Sequence, residues 1–525
     1  MPETHKITRA ATTIGLGTFS SRILGFLRDM VIANFFGAGM AADAFFVAFR
    51  LPNLWRRLVG EGSMTISFIP VYTEYLTQRP EEESRGLVHI AFTVAGIVLL
   101  ILTVFGMTFS SLLIRLIAPG FADVPEKFDL TVMLNRIIFP YLFFMGLFAL
   151  CMGILNSKRH FFAPAFAPVF LNICMILSVL LFYHAFERPV LALAVGVLAG
   201  GLIQFLFQIP FLMERGITFR FNFNFRHPAI RRIGFLMIPG LIGTAVYQLN
   251  VFVDTIFASF LPSGSVSYLF FADRLMEFPL GIFAIAIGMA ALPSLSKLAS
   301  RSEIEELKET ISFTLRLVFF ISIPAMVGLI ALKTPIVNLL FQRGRFDYHS
   351  TVMTAKALLF YSVGLWAIAG ARTVVPAFYS LQDTSTPLKI ALICLVSNVI
   401  LNAVLIGPMK HAGLALATSL SSMLNLGLLF WKLSSKLGGI GTKKIGQSLF
   451  QTFLCSLPMG LIAYGICSFG NWSGTGGLGG KVLLLLSGIV AGLGAYLLSS
   501  FFLKNEELLF LLKMGRKRNG ESGKR

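Results

Sequence analysis

The stretch SRILGFLRD sets Arg22, Arg28 and Asp29 inside an apolar run long enough to cross a bilayer. A guanidinium at the centre of a membrane helix costs roughly 2.5–3.5 kcal/mol on the insertion scale, so each must face water or a partner. Its planar fork matches phosphate oxygens two at a time, which makes an anionic, phosphate-bearing ligand the chemistry to look for. Other charges sit in comparable surroundings: Asp43, Arg50, Arg56, Arg57 and Glu61 early in the chain, and Asp254, Asp273, Arg274, Glu277 and Arg372 later. Helical spacing sorts some of them. Arg22 and Asp29 are seven apart and share a face, and Asp43, Arg50 and Arg57 follow the same seven-residue stripe. Arg22 and Arg28 are six apart and point in different directions, unless Gly15, Gly17 or Gly25 bends the helix. Asp43, Arg50, Arg57 and Asp273 read equally well as structural ion pairs. Arg22, Arg28 and Arg274 favour a ligand-facing role.

The elements carrying these charges are membrane helices. The 525 residues are 56% hydrophobic and 13% charged, with a mean hydropathy of +0.78; a soluble chain carries about 25% charged residues. Fourteen apolar spans are expected, near 10–36, 42–74, 87–117, 129–156, 163–184, 189–213, 230–260, 266–296, 309–332, 351–379, 387–407, 411–434, 447–468 and 481–503. KTPIVNLLFQRG is too short to span and suits the interface. The net charge of +19 concentrates in alternate loops and in the tail KMGRKRNGESGKR, which points to orientation and anionic lipid and away from nucleic acid. This asymmetry places both termini in the cytoplasm. The opposite loops are poor in cations, holding Lys127, Arg188, Lys410 and Lys481 with the group Lys333, Arg343 and Arg345. All five cysteines fall in apolar segments without a C-x-x-C pair, so neither a disulfide framework nor a metal site is expected.

The chain also repeats itself. IANFFGAGMAADAFFVAFRLPN from Ile32 and IFASFLPSGSVSYLFFADRLME from Ile256 align at an offset of 224 residues, which superposes Arg50 on Arg274. Pro70 with Pro293, and Pro164 with Pro387, keep an offset of 223. The expected architecture is therefore an all-α polytopic membrane protein. It has two pseudo-symmetric six-helix lobes around a central cavity, 1–215 and 216–435, then two extra helices in 436–503 and a basic tail, 504–525. An even number of spans per lobe gives the repeats the same orientation, with a substrate site between them.

The stretches FSSRILGFLRDMVIANFFGAGMAADAFFVAFRLPNLWRRLVGEGSMTISFIPVYTEY and SYLFFADRLMEFPLGIFAIAIGMAALPSLS closely resemble the MurJ (MviN) family of lipid II flippases. That family belongs to the multidrug/oligosaccharidyl-lipid/polysaccharide exporter superfamily, and the likeness covers almost the whole chain. It implies a cavity whose arginines engage the diphosphate of lipid II, an undecaprenyl diphosphate bearing a disaccharide-pentapeptide. The motif SSR carries that role to Arg22, FLRD to Arg28 and Asp29, LWRR to Arg56, and ADRLMEFP to Arg274. Asp43, Asn53 and Glu61 take supporting roles, and Arg50 fills a basic position of the pattern. The two extra helices would form a groove for the polyprenyl tail.

The resemblance further implies alternating access in the bacterial inner membrane, in peptidoglycan synthesis and cell shape, with lipid II, membrane lipids and the cell-wall synthesis machinery as partners. No cofactor is expected beyond a coupling Na+, whose ligands would be Asp254, Asn398, Asn402 and Thr418; Asn402 stands where a carboxylate would strengthen that site. Rival readings are a multidrug antiporter, which the Arg-rich first lobe disfavours, and an exporter of another lipid-linked oligosaccharide. An enzyme is disfavoured because no H-E-x-x-H, Ser-His-Asp or Walker arrangement occurs. The near miss TGGLGGKV has Thr475 for the first glycine and Val482 for the final Ser/Thr, and reads as a flexible loop.

Overall fold

The computed structural model describes residues 3–58, 64–281 and 285–513. Glu61 of the expected site and the end of the basic tail lie outside these residues. Among the described residues every regular element is a helix and none is a strand, as a bilayer demands of backbone that must satisfy its own hydrogen bonds.

The chain divides into two compact units, Met1–Ser267 and Tyr268–Arg525. The first holds α1 (Glu3–Phe36), α2 (Met40–Trp55), α3 (Met64–Gln78), α4 (Glu81–Thr108) and α5 (Ser110–Ile117), then α6 (Pro125–Ile138), α7 (Tyr141–Ser157), α8 (Phe162–Phe182), α9 (Leu191–Met213) and α10 (Pro228–Ser259). Next come α11 (Ser265–Pro279), which straddles the division, α12 (Ile285–Ser300), α13 (Ile304–Ala331), α14 (Lys333–Phe341) and α15 (Tyr348–Val363). The chain continues through α16 (Leu365–Ser380), α17 (Ser385–Met409), α18 (His411–Leu437), α19 (Thr442–Ser468) and α20 (Leu478–Phe502). Each expected span has a helix or an adjoining helix pair at its place. Among the described residues, nine helical stretches are long and apolar enough to cross a membrane, one of them α6 together with α7, or ten if the bent pair α15–α16 is one span. Of the remaining expected spans, α1 carries the arginines, and α2 and α3, like α11 and α12, are separated by residues outside the described set.

The repeat is visible element by element. α2, α4, α6, α7 and α8 start 223 to 225 residues before α11, α13, α15, α16 and α17. A short π-helical turn follows α2 at 56–58 and another follows α11 at 280–281, the same place in each repeat. The compact units nevertheless divide at Ser267 and not at the repeat boundary, because α10 packs on α3, α4 and α5.

The first unit's core joins Phe68 and Tyr72 of α3, Leu87 of α4, Ile154 of α7, Leu212 of α9 and Ile233 of α10. In the second unit Phe320 of α13 packs with Cys455 of α19 and Tyr496 of α20, so the two extra helices dock on α13. Only 22% of the α20 membrane window is buried, which leaves Leu483, Val490 and Leu498 turned outward as lipid-facing surface. The five cysteines are free.

Candidate functional site

α1 is one continuous helix through Gly15, Gly17 and Gly25. Gly17 serves packing instead. A Cβ there would stand 2.6 Å from the Ala165 carbonyl oxygen, so glycine is what lets α1 lie against α8. With a rise of 1.5 Å per residue, Arg22 and Arg28 sit about 9 Å apart along the axis. Arg22 is exposed and makes no ion pair among the described residues.

Arg28 is 8% exposed and held at both ends of its fork. Its Nε and Nη2 donate to Asp29 Oδ1 at 3.0 and 2.7 Å, and Nη1 donates to Asn172 Oδ1 at 3.0 Å. The Asn172 amide in turn donates to the Ser21 carbonyl at 3.1 Å, which ties α8 to α1 around the charge. A guanidinium has five N–H groups. Three are used here, and two remain for phosphate oxygens. Asp29, at 2% exposure, therefore orients the arginine as much as it neutralises it. Asn172 was not among the expected site residues. Its one legible signal is an amide inside the apolar run VFLNICMIL.

Asp43 has a different job. It is fully buried and accepts four hydrogen bonds: Lys127 Nζ at 2.8 Å, Gly264 N at 2.7 Å, and Ser267 N and Oγ at 2.9 and 2.6 Å. The last three donors stand at the start of α11, so Asp43 caps that helix where a carboxylate complements the exposed N–H groups. Lys127, expected in a water-facing loop, is 4% exposed and sits 4.0 Å from the Phe121 ring centroid. The ion pair and its bonds saturate Asp43. Of its two readings, the structural one describes its environment.

Arg50 joins α2 to α10, donating to the Val251 carbonyl at 3.1 Å and to Thr255 Oγ1. Arg56, in the π-helical turn, donates from Nε to Asn53 Oδ1 at 2.9 Å. In the second unit Arg274 pairs with Glu277 at 3.4 Å and lies over the Phe270 ring at 5.0 Å. Between Arg22 and Arg57 the chain has five arginines and two aspartates, and one of those aspartates is matched by Lys127. This stretch is strongly electropositive.

The expected cation ligands divide between the units. Asn398 and Asn402 of α17 are buried, and Asn402 Nδ2 donates to Asn398 Oδ1 at 2.8 Å. Thr418 Oγ1 donates to the Leu414 carbonyl at 3.0 Å. Asp254, half-buried on α10, belongs to the first unit. The second-unit donors are all neutral, and one of their amide oxygens is spent on its neighbour.

The expected flexible loop is also pinned. Asn338 of α14 donates to the Trp472 carbonyl at 2.7 Å, Gln342 donates to the Ser473 carbonyl at 2.8 Å, and the buried Lys481 donates to Asn338 Oδ1 at 3.1 Å.

The family profile described as "Lipid II flippase MurJ" matches residues 32–480. The chain belongs to the MurJ family. Among curated relatives, "Probable lipid II flippase MurJ" of Vibrio cholerae is 40% identical over 432 residues, 81% of this chain and 82% of that protein. "Lipid II flippase MurJ" of Burkholderia cenocepacia is 37% identical over 426 residues, 80% of this chain and 83% of that protein. A solved structure, "Lipid II flippase MurJ, inward closed conformation", covers 94% of this chain and 98% of its own at 28% identity, with a TM-score of 0.78. An inward-facing MATE family transporter of the MOP superfamily superposes with a TM-score of 0.67 at 14% identity over 80% of this chain and 96% of its own, a likeness of fold alone. MurJ membership makes this a multi-pass membrane protein and gives the electropositive stretch of α1 and α2 a family context.

Proposed function

We propose that this protein is a lipid II flippase, moving the undecaprenyl-diphosphate-linked disaccharide-pentapeptide between leaflets for peptidoglycan synthesis. The observation that carries the site assignment is Arg28: buried in a membrane helix, fixed by Asp29 and Asn172, with two N–H groups still to satisfy. The lipid head group is too polar to cross hydrocarbon unaided. A diphosphate held by Arg28, with Arg22, Arg56 and Arg274 completing the set, exchanges water for charge-assisted bonds at fixed positions. Asp29, Arg50, Asn53 and Glu61 complete the substrate set as groups that orient these arginines or contact the head group.

Transport proceeds by alternating access. The lobes 1–215 and 216–435 rock about the bound diphosphate, and the tail stays in lipid along α19 and α20, whose outward faces carry large apolar side chains. Both termini are cytoplasmic in this reading, as the loop charges require. Asp43 and Lys127 act at the opposite end by fixing the start of α11. Each elementary charge moved across 100 mV is worth about 2.3 kcal/mol, so either membrane potential or a bound cation can reset an arginine-rich carrier. A coupling Na+ at Asp254, Asn398, Asn402 and Thr418 is a separate proposal, and no step is routed through it; ²²Na binding to purified protein, compared with Asn398→Ala, tests it.

The decisive experiment is complementation of a flippase-depleted strain with Arg28→Ala, alongside lipid II accessibility at the cell surface. Abundant membrane-inserted Arg28→Ala should fail on both counts. Normal growth and normal outward lipid II would overturn the diphosphate role.

A further inference from the structure

Between α9 and α10 runs ITFRFNFNFRH, a segment that no step of transport uses. Phenylalanine occupies every second position, at Phe219, Phe221, Phe223 and Phe225, and polar residues fill the gaps. The backbone from 217 to 224 is neither helix nor paired strand. Its fixed side lies on α4: Thr218 Oγ1 is 3.2 Å from His89 Nε2, the Phe219 ring meets Phe92 edge-on at 4.8 Å, and Asn222 N donates to Thr93 Oγ1 at 2.9 Å. The remaining aromatics are open. Phe221 is 86% exposed, Phe223 63% and Phe225 51%, with their rings spaced 6.3 and 6.2 Å apart in a row. An exposed row of this kind facing water invites aggregation unless something covers it.

The position and charge of the segment identify the cover. α9 and α10 occupy the places of two consecutive spans, so the segment that joins their ends lies at the bilayer surface. Arg215, Arg220, Arg226, Arg231 and Arg232 accompany it, and no carboxylate occurs between Arg215 and Asp254. Arg232 pairs with Glu74 and Arg215 with Glu214, whereas Arg220, Arg226 and Arg231 are exposed and make no ion pair among the described residues. Rings that insert at headgroup depth beside uncompensated arginines fit an anionic phospholipid surface. We infer that residues 217–227 are an in-plane membrane anchor, with Phe221, Phe223 and Phe225 in the acyl boundary and Arg220 and Arg226, joined by Arg231 from the first turn of α10, on lipid phosphates. The anchor fixes the α4 end of the first unit to the leaflet while α10 leaves from the same point. It does not depend on which lipid-linked substrate is carried.

The test uses full-length protein in phosphatidylcholine vesicles with and without phosphatidylglycerol. Nitroxide labels are placed through Phe221→Cys, Asn222→Cys, Phe223→Cys and Asn224→Cys, and unlabelled wild-type protein, whose cysteines are within apolar helices, sets the background. Labels at 221 and 223 should be accessible to oxygen and shielded from a water-soluble nickel chelate, and labels at 222 and 224 the reverse. Phosphatidylglycerol should deepen the first pair, and Arg220→Gln with Arg226→Gln and Arg231→Gln should abolish that gain. Three results overturn the inference: nickel access at 221 and 223, which means a loop in water; shielding from both probes, which means a protein cover; or no response to phosphatidylglycerol.

Discussion

Replacing Lys127 by Met tests the Asp43 network most directly. The two side chains are similar in length, so the substitution removes an ammonium and leaves the space filled. It strands a fully buried carboxylate that keeps three donors, Gly264 N, Ser267 N and Ser267 Oγ. Breaking a buried ion pair by deleting one partner costs about 3–5 kcal/mol, and the three retained hydrogen bonds place this variant at about 3 kcal/mol. Asp43→Asn is worse, at about 4–5 kcal/mol, because it strands the lysine and turns an amide N–H toward other donors. The double variant buries no charge, so its cost should be about 3 kcal/mol and not the sum of the two. Thermal unfolding in detergent can be followed with a thiol-reactive dye, since four of the five cysteines are buried and react on opening. At about 2–4 °C per kcal/mol for a domain of this size, Lys127→Met should lower the midpoint by roughly 6–12 °C. An unchanged midpoint for Lys127→Met, or a double variant as unstable as both singles combined, would refute the reasoning.

Three other outcomes follow from the same contacts. Asn172→Ala should reduce lipid II flipping while Arg28 stays in place, because the guanidinium loses its second anchor; activity equal to wild type in a vesicle assay would show that Asp29 alone positions it. Gly17→Val should separate α1 from α8 and lower both the unfolding midpoint and transport, given the 2.6 Å approach to Ala165, whereas Gly15→Ala, with open space around it, should be silent. Asp383 takes a hydrogen bond from Lys436 at 2.8 Å and another from the Thr386 backbone at 3.0 Å, and these hold its carboxyl well below the usual range. Its contribution is present above about pH 4 and fades as acid protonates it, so Asp383→Ala should cost about 1 kcal/mol of cap at neutral pH, a gap that closes in a midpoint-versus-pH series toward acid.

The helical character of the apolar stretches was readable from local pattern, because hydropathy is a property of the residues themselves, and the repeat from comparing the chain with itself. Partnership was not. Asp43 meets Lys127 across 84 residues, and Arg28 meets Asn172 across 144. No spacing rule reaches that far. Lys127 looked like an ordinary loop cation because its neighbours are polar, and only the fold delivers it to a buried carboxylate. Arg50 read equally well as a structural pair or a site residue, and only the fold shows that its fork reaches Val251 and Thr255 on α10. Gly17 and Gly25 drew attention as hinges, but in an unbroken helix Gly17 serves close approach. Local sequence tells where a charge must be compensated; the tertiary fold decides what compensates it.

Asp43 and Ser267 are 224 residues apart, the offset of the internal repeat, so the two ends of this contact hold equivalent positions of the repeat. One copy of the position carries an acceptor and the other a donor. Two aspartates there would repel, and two serines would offer Lys127 no charge. The bond is one that a strictly symmetric repeat could not make: it exists only because the two copies differ.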